Sequence, residues 1–84
     1  MPIEVEAAVY GAVQGSVDVT NKVQSIIDSG QCKFKADSEV FGDPAPGYRK
    51  HFVALYRSGD YKKAVACKEH QEVIFSKQHI WVIE

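Results

Sequence analysis

The chain has 84 residues, 45% of them hydrophobic and 25% charged, with a formal net charge of −1. That length and mix describe one small globular domain, residues 1–84, with a single modest core, and exclude a disordered chain. The balanced charge supplies no field to attract nucleic acid or an anionic membrane surface, and no apolar run approaches the ~20 residues that span a bilayer.

The opening segment, Met1-Pro2-Ile3-Glu4-Val5-Glu6, is acidic and alternating, unlike a signal peptide, so a cytoplasmic product is expected. Ile3, Val5, Ala7 and Val9 alternate with Glu4, Glu6 and Ala8, the pattern of a half-buried strand that Tyr10-Gly11 ends. Val13 to Ser16 reads as a loop in which Gly15 permits a turn. Thr20 is the better N-cap candidate for a short helix near 20–29, whose apolar stripe is Val23, Ile26 and Ile27. Gly30 stands where a left-handed C-terminal cap is needed. A helix this short must dock on a sheet to persist.

Cys32, Phe34 and Ala36 alternate with Lys33 and Lys35, which predicts a second strand, broken by Asp37-Ser38-Glu39. His51 to Arg57 is apolar on both faces and predicts a third strand lying inside the sandwich rather than at an edge. Ser58-Gly59-Asp60 is a hairpin turn, and Tyr61 to Cys67 returns as a fourth strand. A polar turn at Lys68-Glu69-His70-Gln71 leads to a short strand over Glu72 to Phe75. A last strand, His79 to Ile83, contains Trp81. The fold class that follows is mainly β: a compact antiparallel β-sandwich of about six strands, with one short α-helix covering an open end.

Cys32 and Cys67 form neither a CxxC pair nor a disulfide framework, and three scattered histidines add no ligand spacing. Neither a metal site nor a cofactor is expected. No nucleophile elbow, HExxH, Walker loop or GxGxxG is present, so the chain is not expected to be an enzyme. Asp43, Glu69 and Glu72 are carboxylates whose convergence sequence spacing does not require. His51, His70 and His79 read as surface imidazoles, and Phe75 and Trp81 as core. Lys33, Lys35, Lys62, Lys63 and Lys68 read as a solvated face rather than a binding strip.

The most informative stretch runs from Val40 to Lys50. Pro44 and Pro46 fix φ, Gly47 can take a positive φ, and the loop carries Asp43 beside the cations Arg49 and Lys50. A stiff loop with fixed polar groups suits recognition of a small polar ligand, although the same features also serve a loop that only connects strands.

Phe41-Gly42-Asp43-Pro44, then Gly47, Lys50, Val53 and Tyr56, resembles the signature of galactose/rhamnose-binding lectin domains of the sea-urchin-egg-lectin type. Ile3 to Gly11 is similar to that family's strand ending in ANYG, and Gln31-Cys32 to its QC-containing strand. The C-terminal third resembles the family's opening strands, which implies a circularly permuted order. The resemblance implies carbohydrate contacts from Tyr10, Asp43, Gly47, Lys50 and Glu69, with a sugar or glycan as ligand. It departs from the family at Ala45, where a disulfide cysteine is usual, at Ala12 in place of an arginine, and at Ser38 in place of an asparagine. A single shallow site binds weakly, so a homo-oligomer would supply avidity. The order of elements also resembles a C-terminal domain of some DnaJ-like J-domain proteins, which keeps a non-catalytic protein-interaction domain as the alternative.

Overall fold

A computed structural model describes residues 3–75. The fold is mainly β, with two antiparallel sheets. In chain order the elements are β1 (Ile3–Ala12), β2 (Gly15–Asp18), α1 (Thr20–Asp28), β3 (Lys33–Lys35), α2 (Ser38–Phe41), β4 (His51–Ser58), β5 (Tyr61–Lys68) and β6 (Glu72–Ile74). The larger sheet has the order β2-β1-β4-β5, and β3 pairs with β6 in the smaller one. The strand expected at His79 to Ile83 lies outside the described residues. In its stead β2 makes the sixth strand, and α2 is a second, four-residue helix.

The first strand does not end at Tyr10-Gly11. It continues to Ala12 and turns back directly into β2, pairing Tyr10 with Val17 and Gly11 with Ser16. Gly11 permits this closeness, since a Cβ there would lie 2.4 Å from the Ser16 Cα.

Its alternation also breaks. Val5 pairs with Tyr56, but the next pair along is Ala7 with Leu55, so Glu6 is an extra residue, a β-bulge. Ile3 and Val5 point into the core before the bulge. Ala8 and Tyr10 do so after it, while Ala7 and Val9 turn outward. Strict period-2 counting had placed Ala7 and Val9 inside, and one inserted residue inverts that assignment.

Past the end of β2, the backbone of β1 has no strand beside it on that edge among the described residues. Helix α1 fills the gap with side chains. Gln24 accepts from the Val5 N–H at 2.7 Å and donates to the Ile3 carbonyl at 3.0 Å. Thr20 Oγ1 accepts from the Ala8 N–H at 2.9 Å, and the Val19 N–H donates to the Ala8 carbonyl at 2.8 Å. An open sheet edge is thereby closed without another strand. Thr20 is therefore the first helical residue rather than the N-cap, a position held by Val19 without a side-chain bond. At the other end, Gly30 has φ +97° and donates to the Ile27 carbonyl, while Gln31 N–H reaches the Ile26 carbonyl. That is the paired cap expected of a glycine after a helix.

The core lies between the large sheet and a layer made of α1, α2 and the β3–β6 ribbon. Val23 and Ile27 of α1 belong to one buried cluster with Val5, Ala8, Phe34, Phe52, Tyr56, Val73 and Phe75. Phe41 stacks on Phe52, ring centroids 5.5 Å apart and nearly parallel, and Phe34 meets Phe52 edge-on at 5.9 Å. Such pairs add to the burial term that holds a small domain together. Cys32 and Cys67 are free thiols, partly buried against this core. Burial raises the Cys67 thiol above its ordinary pKa.

β4 is not an edge strand, lying between β1 and β5, but it is not enclosed on both sides as its apolar faces suggest. Only one of its faces is covered among the described residues. Phe52, Ala54 and Tyr56 are buried, whereas Val53 and Leu55 are about half exposed.

A candidate polar binding cup

The β4–β5 hairpin positions the first half of the site. Its tip is a two-residue turn, with Ser58 opposite Tyr61 and Gly59 at φ +63°, the value a glycine-first hairpin turn needs. Register then runs unbroken to His51 opposite Lys68. The next residues out, Lys50 and Glu69, continue the pairing. Glu69 N–H donates to the Lys50 carbonyl at 2.9 Å, and Lys50 N–H donates to Glu69 Oε1 at 3.0 Å.

The proline loop supplies the other half. Asp37 caps α2 by accepting from the Glu39 N–H, and Gly42 ends the helix at φ +82° and ψ 172°, a conformation open essentially to glycine alone. Asp43 Oδ1 then accepts from the Ala45 N–H at 3.1 Å. Ala45 to Tyr48 close a turn, Tyr48 N–H to Ala45 carbonyl at 3.1 Å, with Pro46 and then Gly47 at φ +83° in its centre. Proline followed by positive-φ glycine is the sequence of a type II turn. The loop rests on the β1–β2 hairpin at Gly15, where an added Cβ would lie 2.2 Å from the Pro44 carbonyl oxygen.

Lys50 joins the halves. Its side chain is 4% exposed, and Nζ donates to the carbonyls of Ala45 at 3.0 Å and Tyr48 at 2.6 Å. Nζ also lies 3.1 Å from Asp43 Oδ1 and 3.6 Å from Glu69 Oε1. Burial, the largest influence, pulls its pKa down. The Asp43 hydrogen bond and the charges of Asp43 and Glu69 outweigh it and hold the ammonium above the ordinary lysine value of 10.5. With its donors directed at two carbonyls and Asp43, Lys50 braces the loop. It has no proton left for a ligand hydroxyl.

The result is an open polar cavity of about 670 Å³ whose walls include Asp43, Gly47, Lys50 and Glu69. Four of the five residues expected at a sugar site are thus brought together from segments far apart in sequence. Asp43 and Glu69 converge on one ammonium, whereas Glu72 lies apart, 4.0 Å from Lys33 across the β3–β6 ribbon. The fifth residue, Tyr10, is corrected by its burial. It has no accessible surface and bonds Ser38 Oγ through its hydroxyl at 3.0 Å, packed against Phe41 beneath the cup. Its ring cannot present a face to a ligand. Burial, more than any neighbouring charge, raises the phenol above its ordinary pKa of 10.0.

Sequence reasoning missed Tyr48, Lys68, His70 and Gln71 as wall residues, and Arg49 as more than a loop cation. Tyr48 is 52% exposed and offers the aromatic surface that Tyr10 does not. Its position directly after a turn glycine was the available signal. His70 adopts φ +75°, a left-handed conformation uncommon outside glycine, and its Nε2 lies 3.4 Å from Glu69 Oε2. Its backbone is tied down from both sides: His70 N–H donates to the Ala36 carbonyl at 2.7 Å, and Ala36 N–H to the Gln71 carbonyl at 2.9 Å.

Among the described residues no group of three or more His, Cys, Asp or Glu side chains could hold a metal ion, and no helix is long and apolar enough to cross a membrane. Asp43 Oδ2 carries no hydrogen bond from a described residue, and its side chain is 41% exposed. Comparison with known proteins finds no match among family models, curated proteins or solved structures.

Proposed function

We propose that the domain is a carbohydrate-binding module that takes a monosaccharide such as galactose or rhamnose in this cup. The observation that carries the reading is the meeting of Asp43 and Glu69 on Lys50 at the wall of one open polar cavity. Carboxylates accept hydroxyl hydrogen bonds strongly, and here they are held in place before any ligand arrives. Tyr48 supplies a face for the C–H side of a sugar ring. The resemblance of the Phe41 to Lys50 segment to sea-urchin-egg-type lectins supports the choice of sugar. A glycan array followed by calorimetry tests it. Asp43→Asn should abolish binding by removing the carboxylate, while its amide oxygen can still accept from the Ala45 N–H and Lys50 Nζ, and circular dichroism checks that the fold is kept. Silence towards every sugar at millimolar concentration would overturn the proposal.

A second reading, a protein-interaction module, is favoured by the face of the large sheet that no described element covers. Val9, Val53 and Leu55 there are 38%, 47% and 51% exposed and line a shallow apolar hollow with Ala7. The occupant on this reading is a second copy of the chain. Sedimentation at rising concentration should show self-association that Leu55→Glu removes; a monomer at all concentrations would reject it.

A further inference from the structure

We infer that the cup selects acidic saccharides, sugars carrying a carboxylate, sulfate or phosphate group, over neutral ones. The inference rests on the carbohydrate reading above and concerns the charge of its ligand.

The walls of the cup carry two carboxylates, Asp43 and Glu69, against three cations, Arg49, Lys50 and Lys68. The cup is thus locally positive in a chain whose formal net charge is −1. Their roles differ. Lys50 is buried and committed to Asp43, Glu69 and two carbonyls. Arg49 and Lys68 are exposed, and neither side chain has a hydrogen bond or ion pair from a described residue. One comes from the loop and the other from the last position of β5, so they approach the cavity from its two halves.

Their lack of partners among the described residues is informative because two carboxylates line the same cavity. Asp43 and Glu69 line the same cavity, and both lie within 3.6 Å of Lys50 Nζ, which leaves the outer cations unpaired among the described residues. A neutral hexose could use the carboxylates for its hydroxyls but would leave the guanidinium of Arg49 facing nothing of opposite sign. A ligand with hydroxyls on one side and an anionic group on the other answers both sets. Guanidinium matches the planar oxygens of a carboxylate or the tetrahedral oxygens of a sulfate or phosphate in bidentate fashion, and Lys68 adds a point charge. His70, beside Glu69 on the same wall, adds a further nitrogen within the cup.

The test is calorimetry with galactose, galacturonate and galactose 6-sulfate at low ionic strength, on the wild type and on Arg49→Ala/Lys68→Ala. The charged sugars should bind roughly tenfold tighter than galactose, and added salt should erode that advantage. The double variant should bring the ratio of charged-sugar to galactose affinity down to about one, and that ratio is the readout. Equal affinity for neutral and charged sugars in the wild type would overturn this inference and leave the carbohydrate reading standing, as would a charged-sugar preference that survives the double variant. Binding of inorganic sulfate with no response to any sugar would overturn both. Circular dichroism of the double variant checks that its surface changes leave the fold intact.

Discussion

The sharpest test of how the cup is held is Gly15→Ala, a change on the β1–β2 hairpin rather than in the cup wall. A methyl group there would meet the Pro44 carbonyl oxygen at 2.2 Å and the Pro44 carbonyl carbon at 3.2 Å. Ordinary Cβ contact begins near 3.4 Å, so hairpin and loop must separate by about 1 Å. Forced repacking of that kind costs about 2 kcal/mol, which for a domain this size lowers Tm by roughly 10 °C. Functional constellations tolerate displacements of about 0.5 Å, so moving Pro44 also drags its neighbour Asp43 out of place and should weaken sugar binding about tenfold or more. The control adds the same methyl elsewhere. At Gly30 nothing lies within 4 Å of a new Cβ, and only the positive φ is penalised. Gly30→Ala should lose about 1–2 kcal/mol and leave binding untouched. Thermal melts and calorimetry on both variants decide the matter. A Gly15→Ala protein with wild-type Tm and affinity would refute the claim that the hairpin props the loop.

Gln24→Ala removes the side chain that serves the Val5 N–H and the Ile3 carbonyl, and should cost about 1–2 kcal/mol in urea unfolding with faster amide exchange at Val5. The pKa of Asp18 is lowered from 3.8, first by the Thr20 hydroxyl and then by the Thr20 N–H. Its contribution is therefore full above 3.8 and lost as pH falls through the depressed value; unfolding midpoints measured across that range should decline less steeply for Asp18→Asn. Lys50 and Tyr10 both have raised values, so their contributions are present below 10 and disappear as pH rises through the higher folded values. Alkaline titration should expose this loss, and Tyr10→Phe should move its onset upward.

The strands that alternate cleanly were legible from sequence, and so were α1 with its glycine cap and the Pro-Gly turn. β4 and β5 were found to within a residue. Their register is not legible, because Ser58-Gly59-Asp60 reads as a three-residue turn. With only Gly59 and Asp60 at the tip, counting outward sets residue 50 opposite 69, and the Lys50–Glu69 contact follows from arithmetic. β2 was missed because Gly15 and Ser16 look like turn residues; its partner Gly11 makes room for it, which is a property of two segments together. Tyr10 was misassigned for a different reason. The resemblance implied a ligand contact there, and the bulge at Glu6 instead swings Tyr10 inward, where it bonds Ser38 of α2. Arg49 and Lys68 gave no sign of belonging to one site until the hairpin and the loop were set side by side.

The bulge makes Glu6 a parity bit for the strand that carries it. Upstream, Ile3 faces inward and its carbonyl receives α1; downstream, Tyr10 faces inward and underpins α2 and the loop. Deleting that one residue would leave a chain able to satisfy either end but never both, so helix docking and the architecture of the cup are inherited together or lost together.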